Sequence, residues 1–154
     1  MASVLPPFVE ALPDGVVRVS LPTPFHVGRV NCYLLVDPPV TVIDPGTLQA
    51  GSIDELAAAL ASSGLGLGDV EQIVVTHAHP DHFGAAAAIA DRSGAGIVCG
   101  LPERAGLLGP SDSQWTRELL VGLGVPAAAA RSLSLSPEAV AYVGVSSGGF
   151  KTIW

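Results

Sequence analysis

The sequence predicts an α/β layered domain, and three observations carry that prediction. From residue 40, strand-like and helix-like runs alternate in the order strand, helix, strand, helix, strand. Hydrophobic residues make up 49% of the 154 and charged residues only 14%, so there is material for a core and for sheets buried on both faces. No apolar run approaches the roughly 20 residues needed to cross a bilayer, so the mean hydropathy of +0.50 is not explained by a membrane span.

The elements follow in order. Val16–Ser20 and Val30–Val36 (VNCYLLV) read as strands. Asp37-Pro38-Pro39 makes a turn, Val40–Asp44 (VTVID) is a third strand, and Pro45-Gly46 breaks it. Ser52 and Glu55 form an S-x-x-E capping pattern ahead of LAAALASS, with Gly64 placed to end that helix. GLGLGD at 64–69 is a connection, because it lacks the G-x-G-x-x-G spacing and does not sit between a strand and a helix. QIVVT at 72–76 is a buried strand, FGAAAAIADRSG a short helix ending at Gly94, and Ile97–Cys99 opens another strand. Beyond Leu101 the pattern predicts helices at 103–108 and 113–123 and a strand at 139–145. The closing SSGGFKTIW predicts no element. Nothing marks an internal repeat or a domain boundary, which makes 1–154 a single domain.

The net charge of −7, with seven basic residues scattered singly, argues against a nucleic-acid groove. MASVLPPFVE has no basic n-region ahead of an apolar stretch, so the expected address is cytoplasmic. Cys32 and Cys99 sit in strand-like runs and read as buried small hydrophobes.

The chemistry concentrates in THAHPDHFG, residues 76–84. Three of the four histidines and one aspartate fall between His77 and His82. His77 and His79 alternate at a strand end, so both imidazoles share a face. Pro80 turns the chain, and Asp81 and His82 follow at the mouth of the next helix. Small Ala78 and Gly84 let the backbone pass close to a bound group. Burying such a cluster without a metal would leave many polar groups to satisfy, and the spacing suits two adjacent cations.

H-x-H-x-D-H after a buried strand resembles the metallo-β-lactamase superfamily. VNCYLLVDPPVTVIDPG resembles that family's opening strands with their Asp-x-Gly turn, here Asp44-Pro45-Gly46. The likeness covers roughly residues 15–100. It implies an αββα sandwich, of which this chain looks like the N-terminal half, a mixed sheet with helices on one face. By resemblance, up to two zinc ions bind at the sheet edge, His77 and His79 on the first, Asp81 and His82 on the second. Asp44 orients the ligands. Asp81 holds a metal-bound hydroxide, whose parent water has a pKa near ~7, for attack on a thioester or ester carbonyl of a small-molecule substrate, as in glyoxalase II-like hydrolases. His26 is a candidate substrate contact, since its segment in the family often lies over the site.

The family's later ligands, a third histidine in a G-H-[TS]-x-G-H-like segment, a bridging aspartate and a final histidine, have no counterpart here. No histidine follows His82, Asp91 reads as helix surface and Asp112 as a turn or cap. Two function classes therefore stand: a zinc-dependent hydrolase, and a catalytically inactive half-domain or interaction module with incomplete metal sites. Half a sandwich would leave an apolar sheet face open to self-association. A homodimer lending ligands in trans is disfavoured, because each copy lacks the same histidines. Gly144-Val145-Ser146-Ser147-Gly148 matches the G-x-S-x-G elbow, but no histidine or acid follows it, so it reads as a turn.

Overall fold

The computed structural model of the chain describes residues 5–103, 121–129 and 150–153. Among the described residues seven strands form one sheet: β1 (Val9–Ala11), β2 (Val16–Pro22), β3 (Arg29–Leu35), β4 (Thr41–Ile43), β5 (Gln72–Val75), β6 (Gly96–Gly100) and β7 (Phe150–Ile153). Their spatial order follows the sequence. β1 to β4 pair antiparallel as a meander, and β4 to β7 pair parallel. Between the parallel strands lie α1 (Ala50–Ser62), after β4, and α2 (Pro80–Phe83) and α3 (Ala86–Ser93), after β5.

Alternation builds the core. Val19 and Leu21 of β2 stand on one face opposite Cys32 and Val30 of β3. The row continues through Leu34, Val42, Ile73 and Ile97 in register. Leu56, Ala59 and Leu60 of α1 and Ala86 and Ile89 of α3 pack with these residues into one cluster. The helices thus lie on one sheet face. The opposite face carries a second row, Tyr33, Ile43, Val74 and Val98, paired across four strands. Of these Val98 is buried and the other three are half-buried. Cys32 and Cys99 are both buried thiols, as their apolar surroundings in the sequence imply.

Where the local signals were strong they set the boundaries. Gly64 and Gly94 follow α1 and α3 at φ +76, the left-handed conformation that glycine adopts without a Cβ penalty. The capping pattern at Ser52 and Glu55 does not form. α1 begins earlier, at Ala50, with Gln49 as its N-cap residue and no side-chain cap. The Gln49 side-chain amide donates to the Pro22 carbonyl at 2.9 Å, while Glu55 pairs with Arg29 of β3. Tertiary contacts thus decide where this helix starts, and Ser52 ends up fully buried.

The helix expected over 83–94 is interrupted. The Ala85 N–H turns away to donate to the Gly46 carbonyl at 2.9 Å, which separates α2 from α3. Neither edge strand is predicted by the pattern. β1 is three residues long, and β7, where the sequence implied no element, pairs with β6 from Ile97↔Phe150 to Gly100↔Ile153. The expected helices at 103–108 and 113–123, apart from their ends, and the strand at 139–145 lie outside the described residues, as does Gly144–Gly148. Among the described residues no helix is long and apolar enough to cross a membrane.

The parallel half fixes where a site can form. The C-terminal ends of β4, β5 and β6 open at one rim, which is where open α/β sheets bind ligands. The β2–β3 connection at 23–28 reaches the same rim, because β3 runs antiparallel to β4.

Candidate metal centre

Two strand ends and one short helix build the centre. β4 ends at Ile43, and the chain then turns through Asp44 at φ +53 and Gly46 at φ +82. Aspartate is among the few side chains that tolerate this left-handed region. Gly46 has a further constraint: a Cβ there would stand 2.9 Å from both Leu21 Cδ1 and Ser52 Oγ. This close turn clips α2 in place, with the Gly46 N–H donating to the His82 carbonyl at 3.1 Å.

β5 ends at Val75 and delivers Thr76, His77, Ala78 and His79 to the rim. Pro80 opens α2 at a position where its missing N–H costs nothing. His79 is the extended N-cap residue, and its carbonyl accepts the N–H groups of His82 and Phe83 at 2.8 and 3.1 Å. Phe83 is buried and holds the short helix to the core.

The side chains converge. His77 Nε2 lies 3.1 Å from His79 Nδ1. The ring centroid of His77 is 4.5 Å from that of His79 and 4.1 Å from that of His82. His82 Nε2 is 3.7 Å from Asp81 Oδ2. Asp44, buried at 6% exposure, sits beneath them. Its Oδ1 accepts the Thr76 N–H at 2.8 Å, and its Oδ2 accepts the Thr76 hydroxyl at 2.6 Å and faces His82 Nδ1 at 3.0 Å. One ligand atom each from Asp44, His77 and His82 lie within 4.8 Å of one another. His26 stands apart in the exposed turn after β2, on the same rim but without a hydrogen bond or ion pair among the described residues.

The donor set fits a small borderline cation. Imidazole nitrogens and carboxylate oxygens are zinc's usual hard and borderline ligands. Zinc–nitrogen bonds of ~2.0–2.1 Å at tetrahedral angles put two nitrogens about 3.3 Å apart. The His77–His79 pair, at 3.1 Å, is close to that edge length. Asp44 has already committed both oxygens to hydrogen bonds, which makes it an anchor for the histidines more than a free donor.

Two contacts were not legible from the sequence. Glu103, in the 3₁₀ turn after β6, accepts the Ala78 N–H through Oε2 at 2.8 Å and so braces the backbone between the two histidines. Thr76 bridges Asp44 and His77, its hydroxyl 2.9 Å from His77 Nδ1. Thr76 had a positional signal, the last residue of a buried strand before the histidines, whereas Glu103 had none. Below the centre, burial and secondarily the Asp44 carboxylate push the Cys32 thiol well above the ordinary thiol range.

The family profile described as the metallo-beta-lactamase superfamily matches residues 26–147. The chain belongs to that superfamily. The superfamily fold is matched in solved structures as well. A metallo-beta-lactamase family protein from Thermus thermophilus superposes with a TM-score of 0.67 at 27% identity, covering 79% of this chain and 43% of that one. BJP-1, a subclass B3 metallo-beta-lactamase of Bradyrhizobium japonicum, gives a TM-score of 0.55 at 26% identity over 68% of this chain and 37% of its own. In sequence, the probable metallo-hydrolase YqjP of Bacillus subtilis (strain 168) is 39% identical over 71 residues, which are 46% of this chain and 22% of that protein. The chain thus spans less than half the length of each of these three proteins. The resemblance read from H-x-H-x-D-H and the Asp44 turn holds, and so does the sheet with helices on one face.

Proposed function

We propose that the chain carries the metal-binding segment of a zinc-dependent hydrolase acting on a small thioester or ester, in the manner of glyoxalase II-like enzymes. The observation that carries this reading is the 3.1 Å approach of His77 Nε2 to His79 Nδ1 on the rim where Asp81 and His82 also stand. In this reading His77 and His79 hold one zinc, Asp81 and His82 hold a second, and Asp44 keeps His82 in orientation through Nδ1. Zinc there supplies Lewis acidity and an acidified water, with a pKa near ~7.

The chain's own residues do the rest. Asp81 accepts a hydrogen bond from the attacking water and fixes its direction towards the carbonyl carbon. Water adds to that carbon, the carbon–sulfur or carbon–oxygen bond breaks, and the leaving group departs as thiol or alcohol after taking up a proton. His26, exposed on the neighbouring turn, is the residue this reading assigns to substrate contact. The acidity of the chain favours a small molecule over nucleic acid, and its buried thiols suit a reducing cytoplasm.

The test pairs metal content with turnover. Purified chain is expected to retain zinc after gel filtration and to hydrolyse a thioester reporter, with His77→Ala and His82→Ala losing both. Zinc retained without any turnover would favour the catalytically inactive reading over the hydrolase. Zinc content unchanged in His77→Ala would end the proposal.

A further inference from the structure

We propose that Thr76 is a positioning residue that locks His77 in the tautomer with its proton on Nδ1, so that the Nε2 lone pair faces the centre. The consequence for metal binding rests on the function proposed above; the tautomer itself does not.

The reasoning is a count of hydrogens. A threonine hydroxyl has one proton to donate and lone pairs with which to accept. Thr76 Oγ1 lies 2.6 Å from Asp44 Oδ2, and the carboxylate already accepts the Thr76 N–H at its other oxygen. A carboxylate accepts only, so the hydroxyl proton goes to Asp44. Thr76 Oγ1 can then only accept at its second contact, His77 Nδ1 at 2.9 Å. That nitrogen must therefore carry the proton, which leaves Nε2 as the bare one. Nε2 is the atom 3.1 Å from His79 Nδ1. The opposite tautomer would aim an N–H at the point where a lone pair is needed.

The same carboxylate oxygen faces His82 Nδ1 at 3.0 Å and fixes that ring likewise. Asp44 thus orients one histidine directly and the other through Thr76. Partners that hold the remote nitrogen of a metal-binding histidine are worth about 10–100-fold in metal affinity.

Thr76→Val and Thr76→Ser separate the hydroxyl from the shape of the side chain. Valine keeps the branching and leaves the main-chain N–H on Asp44 Oδ1, so the strand end retains its anchor. Long-range ¹H–¹⁵N spectra of the metal-free full chain, at a pH where imidazole is neutral, report the tautomer. Competition titration with zinc reports affinity. The expected result is an Nδ1–H tautomer at His77 in the wild type and in Thr76→Ser. Thr76→Val should lose it and bind zinc about 10-fold or more weakly.

An Nε2–H tautomer in the wild type overturns the proposal, as does Thr76→Val that keeps the Nδ1 proton or the wild-type affinity, or Thr76→Ser that behaves like valine. Should Thr76→Val fail to fold, the wild-type and serine spectra still decide. A wild-type chain that binds no zinc would defeat the metal reading while leaving the tautomer result standing.

Discussion

Asp44 and His82 are 38 residues apart in sequence and 3.0 Å apart in space, Oδ2 against Nδ1. That contact ties the end of β4 to the short helix α2 and makes the buried carboxylate part of both fold and site.

Removing the carboxylate should therefore cost stability. Asp44→Ala deprives the Thr76 N–H, the Thr76 hydroxyl and His82 Nδ1 of their acceptor, and places alanine at φ +53. Charge-assisted hydrogen bonds are worth about 1.5–3 kcal/mol each and their losses overlap, so a fall of about 2–4 kcal/mol is expected. Asp44→Asn, which tolerates the left-handed turn and keeps one oxygen, should lose less. Urea unfolding measures both, and Asp44→Ala within ~0.5 kcal/mol of wild type would contradict the structure.

Zinc should stabilise the chain by mass action. At about 100 times its Kd, a ligand that binds only the folded state adds ~2.7 kcal/mol. Thermal melts with and without chelator are expected to show a zinc-dependent rise in Tm that His77→Ala and His82→Ala abolish. His26→Ala should leave the shift intact, since His26 lies in an exposed turn and is not among the grouped ligand residues Asp44, His77 and His82. A shift lost in His26→Ala would instead bring that turn into the centre.

Gly46→Ala should be among the most damaging small changes in the chain. The added methyl meets Leu21 Cδ1 and Ser52 Oγ at 2.9 Å and sits at φ +82. Left-handed strain costs about 1–2 kcal/mol and overpacking about 1–3 kcal/mol. Denaturant midpoints give the measured loss; a neutral substitution would mean the turn relaxes freely.

The Cys32 thiol gives a pH dependence with a definite sign. Burial, then Asp44, raise its pKa in the folded chain above the ordinary value of 9.0. Below pH 9 both states keep the proton and nothing is lost. Above it the unfolded chain releases a proton that the folded chain retains, so stability falls with rising pH, by at most about 1.4 kcal/mol per pH unit. Cys32→Ala should flatten that alkaline slope. Native Cys32 should also resist alkylation at pH ~8 until the chain is unfolded.

Much of this architecture was legible in local pattern. The alternation in VVRVS and VNCYLLV, and the apolar QIVV run, gave strands because each side chain's face is set by its neighbour's. The histidine cluster was legible because its residues fall within six positions, His77 to His82, and a strand end aligns them. What escaped was non-local. The start of α1 depends on Gln49 reaching Pro22, not on Ser52. The break between α2 and α3 depends on the Gly46 carbonyl capturing the Ala85 N–H. β7 takes its form from pairing with β6, more than 50 residues earlier. Thr76 and Glu103 carry no motif of their own, because a hydroxyl or a carboxylate acquires its role only when folding brings a partner within 3 Å.

The sheet's parallel half also leaves its two ends with different freedoms. Strand ends carrying His77, Asp44 and the brace from Glu103 are locked to one another. The connectors at the far end, around Pro38–Pro39 and Gly64–Gly68, lie away from those contacts and offer room for a tag or an insertion. A reporter peptide spliced in at Gly68, where an added Cβ would meet nothing within 4 Å, should leave the histidines in register.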